Sequence, residues 1–147
     1  MGSPTNRIEV TLESVLDSVD LAEDISLRVA VTAGFDEDAR DRIGMSVREG
    51  MINAVTYGNR GDRDKLIFLS LELDGNKMTI RILDQGAGFR LEDLPDPLAE
   101  ENILKTSGRG IFLIRAFMDE FEVRPGVQGG AELVMAKRLP VPAGRAK

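Results

Sequence analysis

The 147-residue chain contains no cysteine, no histidine and no tryptophan, and a single tyrosine. Without cysteine there are no disulfide scaffolds, zinc–thiolate centres or thiol nucleophiles. Without histidine there is no Ser-His-Asp triad, no HExxH metal site and no histidine phosphoacceptor in this chain. No apolar run approaches the roughly 20 residues that span a bilayer, and the N-terminus lacks a secretory pattern, so no membrane partner and a cytoplasmic location are expected. Basic residues are outnumbered: 19 Lys and Arg stand against 25 Asp and Glu, a formal charge of −6. A duplex binder carries a basic face, so direct nucleic-acid binding is not expected, and an acidic surface better suits a protein partner. What is present is 42% hydrophobic residues, enough for one packed core. Any chemistry falls to carboxylates, amides, backbone groups or a bound cofactor.

No repeat or low-complexity segment divides the chain, which reads as one domain over residues 1–147, with a core of about 7–139 and frayed ends. Ile8, Val10 and Leu12 alternate with polar residues as in a strand with one buried face. A helix follows, starting between Ser14 and Asp20; Asp20 and Glu23 resemble a capping box, and Gly34 ends it. Asp36, Glu37 and Asp38 place acids at the start of a second helix, where the dipole favours them. Its apolar stripe is Ala39, Ile43, Val47, Gly50, Met51 and Ala54, and it ends near Gly58. Residues 66–73 and 77–83 form strands joined by Asp74-Gly75-Asn76, a hairpin signal because Gly and Asn tolerate positive φ. Regular structure is then lost over 84–106, a loop long enough to suggest function or mobility. A third helix is expected after Gly108-Arg109-Gly110, with Ser107 suited to an N-cap, and a closing hairpin runs around 126–130. The expected fold is therefore α+β: a two-layer sandwich of a mostly antiparallel mixed sheet with three helices on one face.

Three constellations could carry chemistry. Glu49 and Asn53 lie four residues apart on the second helix, about 40° apart around its axis, beside the apolar stripe. A carboxylate and an amide placed so can hold a hydrated cation and orient or deprotonate a hydroxyl, although the same pair also suits a solvated helix face. Asp84-Gln85-Gly86-Ala87-Gly88 closes a strand, letting a ligand approach the backbone while the carboxylate accepts from an amine; a plain Gly-rich turn has the same composition. The third Gly of a dinucleotide fingerprint is missing. Thr106-Ser107-Gly108-Arg109-Gly110 precedes an apolar helix, whose free N–H groups suit an anion, with Arg109 available to a phosphate. No Walker-type phosphate loop occurs.

In this order, an E-x-x-x-N helix, a strand ending in D-x-G-x-G, a long loop and a T-S-G-x-G helix start resemble the GHKL ATPase superfamily and its Bergerat fold. Residues 49–59 and 107–120 resemble more narrowly the anti-sigma factor serine/threonine kinases of bacteria, over nearly the whole chain from about Ile8 to about Leu139. The resemblance implies ATP and Mg²⁺ as cofactors. Asn53 would hold the Mg²⁺ that bridges the phosphates, and Glu49 would be the general base. Asp84 would accept from the adenine amine, with Gly86 and Gly88 making room for the base. Thr106, Ser107, Gly108, Arg109 and Gly110 would form the phosphate lid and helix-start contacts, and the acidic loop over 90–105 would order over nucleotide. Arg28 matches the position that contacts partner proteins, while Tyr57 stands where the family usually has His. The implied activity is that of a homodimeric anti-sigma factor that phosphorylates an anti-anti-sigma protein. A nucleotide-gated module that sequesters its partner without catalysis needs Asn53 and Asp84 but not Glu49, and so stays open.

Overall fold

Alternation sets the sheet. In the structure, a computed structural model describing residues 6–87, 106–127 and 129–140, strand β1 spans Asn6–Glu13, β2 Leu66–Asp74 and β3 Lys77–Leu83. Strands β4 (Glu120–Pro125) and β5 (Ala131–Arg138) close the chain's described part. Ile67, Leu69 and Leu71 of β2, Met78, Ile80 and Ile82 of β3, and Leu133 and Met135 of β5 are all buried on one face. The intervening residues face the other way, where Arg7 pairs with Glu72 at 2.6 Å and Arg124 with Glu132 at 2.7 Å. The strand order is β1-β2-β3-β5-β4. All four ladders are antiparallel, so the parallel component allowed for in a mixed sheet is not found among the described residues. The β2–β3 hairpin turns at Gly75, whose φ of 62° takes the left-handed conformation that glycine adopts without strain.

Three helices are found among the described residues: α1 Leu16–Ala33, α2 Glu37–Ile52 and α3 Thr106–Phe117. Helix α1 starts upstream of the expected capping box. Val15 occupies its N-cap without a side-chain bond, because buried Ser18, Val19 and Ala22 draw the first turn onto the core. Asp20 and Glu23 serve instead as acceptors for Arg48 of α2, at 2.7 and 3.0 Å, and so tie the two helices together. Gly34, at φ 100°, ends α1 as expected. Helix α2 starts where its acids predicted, with the Asp36 carboxylate accepting from the Ala39 amide at 2.8 Å. Its Ile43, Val47 and Met51 are fully buried. At Gly50 the helix comes so near the sheet that a Cβ would stand 2.8 Å from Ile82 Cδ1. This approach brings the last turn of α2 up to the end of β3.

Past Ile52 the helix does not stop but widens into a π-helical turn, Asn53–Gly58, in which the Asn59 amide reaches back to the Ala54 carbonyl at 2.8 Å. Such turns break the ordinary side-chain phase and occur frequently at functional sites. Helix α3 begins at Thr106, earlier than expected, so Ser107 lies within the helix and is not its N-cap. Glycine is a poor helix former, and Gly108 and Gly110 therefore look like breakers in sequence; packing of α3 on α2 overrides that preference. The loop expected over 90–105 lies outside the described residues, as do residues 1–5 and 141–147 of the ends expected to fray, the first few residues and 140–147.

Candidate active site

The end of β3 delivers Asp84 into the interior, where its side chain is 2% exposed. Oδ1 accepts two backbone amides: Gly86 at 2.9 Å, from its own segment, and Ala131 at 3.1 Å, from the start of β5. Burial raises the Asp84 carboxyl above its ordinary value, against the two amide bonds and the Lys65 charge, which lower it. A charged carboxylate kept here is held in one direction by the backbone and is short of water. Oδ2 accepts no hydrogen bond among the described residues and is available to a ligand donor.

Three glycines make this placement possible. A Cβ at Gly58 would collide with Asp84 Oδ2, one at Gly86 with the Gly58 carbonyl, and one at Gly130 with the Asp84 carbonyl. The π turn, the β3 exit and the β4–β5 hairpin thus meet backbone to backbone around one carboxylate. Sequence reasoning found Asp84 and Gly86 from their local pattern. It missed the roles of Gly58 and Gly130, since a glycine that ends a helix or turns a hairpin has the same appearance in sequence. Gly88 lies outside the described residues.

Asn53 opens the π turn and is 4% exposed, yet its Nδ2 has no hydrogen-bond partner among the described residues. Buried amide nitrogens are nearly always paired. An unmet donor beside a free amide oxygen suits an oxyanion and the cation that accompanies it. Mg²⁺ carried on phosphates needs only one or two protein oxygens, so Asn53 fits that ion. Glu49, one helical turn earlier, is half-buried. A Cβ at Gly110 would stand 2.8 Å from Glu49 Oε2, which places the Glu49 carboxylate against the beginning of α3. The structure therefore brings Glu49, one turn before Asn53, against Gly110, and separately clasps Asp84 with Gly86. Thr106, Ser107, Gly108 and Arg109 form the first turn of α3, where backbone N–H groups lack intrahelical acceptors; their side chains are outside the described part. Arg28 is exposed on α1, its carbonyl accepting from Thr32 Oγ1 at 3.1 Å, and is not among the residues gathered here. Tyr57 lies on the π turn, 44% exposed.

The candidate site thus consists of a helix carrying a carboxylate and an amide, with the start of α3 against that carboxylate, and a buried acceptor at the end of a strand. The family model for the histidine kinase-like ATPase domain matches residues 12–137, and the chain belongs to that family. More narrowly, the chain is similar to the serine-protein kinase RsbW of Listeria innocua, 25% identical over 145 residues covering 95% of this chain and 91% of that one. It is also similar to the anti-sigma F factor of Clostridium beijerinckii, 29% identical over 106 residues, 71% of this chain and 74% of the relative. Among solved structures, that of the RsbU and RsbW domains of a Mycobacterium tuberculosis protein superposes with a TM-score of 0.68. The match covers 99% of this chain and 36% of that chain, at 19% identity, and is a likeness of fold. The α+β fold and the resemblance to the anti-sigma factor kinases read from the motifs both hold. Among the described residues, no helix is long and apolar enough to cross a membrane.

Proposed function

We propose that this chain is an ATP-dependent serine/threonine protein kinase that also acts as an anti-sigma factor, binding a sigma factor and phosphorylating an anti-anti-sigma protein. The observation that carries the reading is the Asp84 carboxylate, buried, aimed by two amides and enclosed by glycines, one of which, Gly58, ends the turn that continues the helix presenting Glu49 and Asn53. It suits the exocyclic amine of adenine. Asn53 would hold Mg²⁺ and a phosphate oxygen, and the first turn of α3 would offer its N–H groups and Arg109 to the phosphates. Bound Mg²⁺ would neutralise charge on the transferring group. Glu49 would take the hydroxyl proton as the Ser or Thr oxygen bonds to the γ-phosphorus and the bond to the ADP oxygen breaks. Positioning and charge neutralisation supply most of the catalysis in such transfers, so a single carboxylate suffices as base. Arg28, exposed on α1, would contact the partner proteins. The kinase and anti-sigma roles are in keeping with the names of its relatives, and the protein would work as a homodimer in the cytoplasm.

The test is incubation with labelled ATP, Mg²⁺ and candidate anti-anti-sigma proteins from the same genome. Label transferred to a Ser or Thr supports the kinase. ATP-dependent partner binding with no transfer to any candidate would favour a sequestering module of the same fold.

A further inference from the structure

Asn59 follows the π turn and is 1% exposed, with every polar atom of its side chain engaged. Its Nδ2 donates to Ser14 Oγ at 2.6 Å and to the Leu66 carbonyl at 3.0 Å, and its Oδ1 accepts the Gln85 amide at 2.8 Å. These partners belong to three elements: the residue after β1, the first residue of β2, and the segment leaving β3. Two further bonds close the ring. Ser14 Oγ donates to the Lys65 carbonyl at 2.8 Å, and Gln85 Oε1 accepts the Leu66 amide at 2.7 Å.

The bond to Gln85 fixes the peptide that joins Asp84 to Gln85, so the direction of the Asp84 side chain depends on it. An amide is the group this position requires. Aspartate would turn acceptors toward the Leu66 carbonyl, and leucine would leave the Gln85 amide and the Leu66 carbonyl without this partner in the interior. Its side-chain bonds go to Ser14, Leu66 and Gln85, none of which is a residue expected at the phosphates, and the bond to Gln85 is the one that leads to the carboxylate.

We propose that Asn59 is a positioning residue for base recognition, holding the Asp84 carboxylate in the direction that selects a purine with an exocyclic amine. The proposal rests on the nucleotide reading given above. Its signature is selectivity, since a merely structural role would change binding of all nucleotides alike.

The experiment measures ADP and IDP affinities by calorimetry, IDP carrying a carbonyl oxygen where adenine has its amine. The parent protein is expected to prefer ADP by at least about tenfold, the effect of facing a carboxylate with an acceptor instead of a donor. In Asn59→Ala the preference should fall below about threefold, while the gain in affinity on adding Mg²⁺ persists. Should Asn59→Ala fail to fold, Asn59→Ser supplies the same measurement, because a hydroxyl cannot reach Ser14 and Gln85 together. A parent that prefers ADP alongside a folded Asn59 variant with the same preference overturns the positioning role and leaves the nucleotide reading intact. A parent that binds no ADP, or binds ADP and IDP equally, overturns both.

Discussion

Gly58 lacks a side chain where the Asp84 carboxylate needs the space: Oδ2 lies where a Cβ at position 58 would stand. The contact joins the end of the π turn to the end of β3, and neither side can retreat freely. Asp84 is pinned through Oδ1 by the Gly86 and Ala131 amides, while the Gly58 carbonyl backs against Gly86. Gly58→Ala should therefore push the carboxylate off its two amides. Overpacking of this kind costs about 1–3 kcal/mol, so the melting temperature should drop as ADP affinity falls at least about tenfold. An alanine variant with undiminished ADP affinity would remove Asp84 from base recognition.

Asp84→Asn separates shape from charge. The amide keeps an oxygen for the Gly86 and Ala131 N–H groups but brings an NH₂ group to face the adenine amine. ADP affinity should fall at least about tenfold, because a buried donor left unmet costs about 1–3 kcal/mol. The unliganded variant should behave differently. Burial raises the Asp84 carboxyl above its usual 3.8 in the folded protein, so the folded state holds this proton more tightly than the unfolded chain. Stability from this group is full below the unfolded value and is lost as pH rises through the folded one. At pH 7 the asparagine variant should melt no lower than the parent, and the parent should gain on it as the solution is acidified. Melting curves of both proteins over a pH series test the sign, and a gap that moves the other way would contradict it.

Much of this site is legible in the sequence because its signals are local. The Asp36 cap, the Gly75 turn, and the Glu49–Asn53 spacing each involve residues within a turn or two of one another. Asp84 stands out by ending a strand before two spaced glycines. The parts not legible depend on chain segments that meet only after folding. Gly130 is far from Asp84 in sequence but lies against its backbone, and Asn59 unites Ser14, Leu66 and Gln85 across three elements. Asp20 and Glu23 have the spacing of a capping box, but their partner is Arg48 on another helix. The start of α3 is obscured in sequence by Gly108 and Gly110, whose low helix propensity is overridden by packing on α2; at Gly110 the bare backbone leaves room for the Glu49 carboxylate.

Asn53→Ala should make nucleotide binding insensitive to Mg²⁺. The parent should bind ATP more tightly with the ion than without it, through one protein oxygen and the phosphates. The variant should give the same affinity in both buffers. Titrations that still differ by the parent's margin would locate the ion on other ligands.

Glu49→Gln tests catalysis apart from binding. The change removes basicity with almost no change in volume, and the side chain stays against Gly110. Affinities for ATP and for the sigma-factor partner should stay near those of the parent. Phosphorylation of the anti-anti-sigma protein should slow by at least about a hundredfold, within the range general-base help supplies. Parental rates would mean that the carboxylate orients water or metal and takes no proton.

The π turn at Asn53–Gly58 gives the chain one residue of slack between two fixed points. Asn53 is held by the helix before it, with its amide bonded to the Glu49 and Gly50 carbonyls, and Asn59 is anchored to Leu66 and Gln85 at the strands after it. An ordinary α-helical connection between these anchors would be one residue shorter and would advance each side chain about 100° around the axis. Removing one residue between Ala54 and Tyr57 would therefore be a frameshift in three dimensions. It would tighten the helix while turning either Gly58 away from the Asp84 carboxylate or Asn53 away from where phosphates are proposed to bind. On the proposed reading, the wide turn would let one continuous helix serve both ends of a nucleotide.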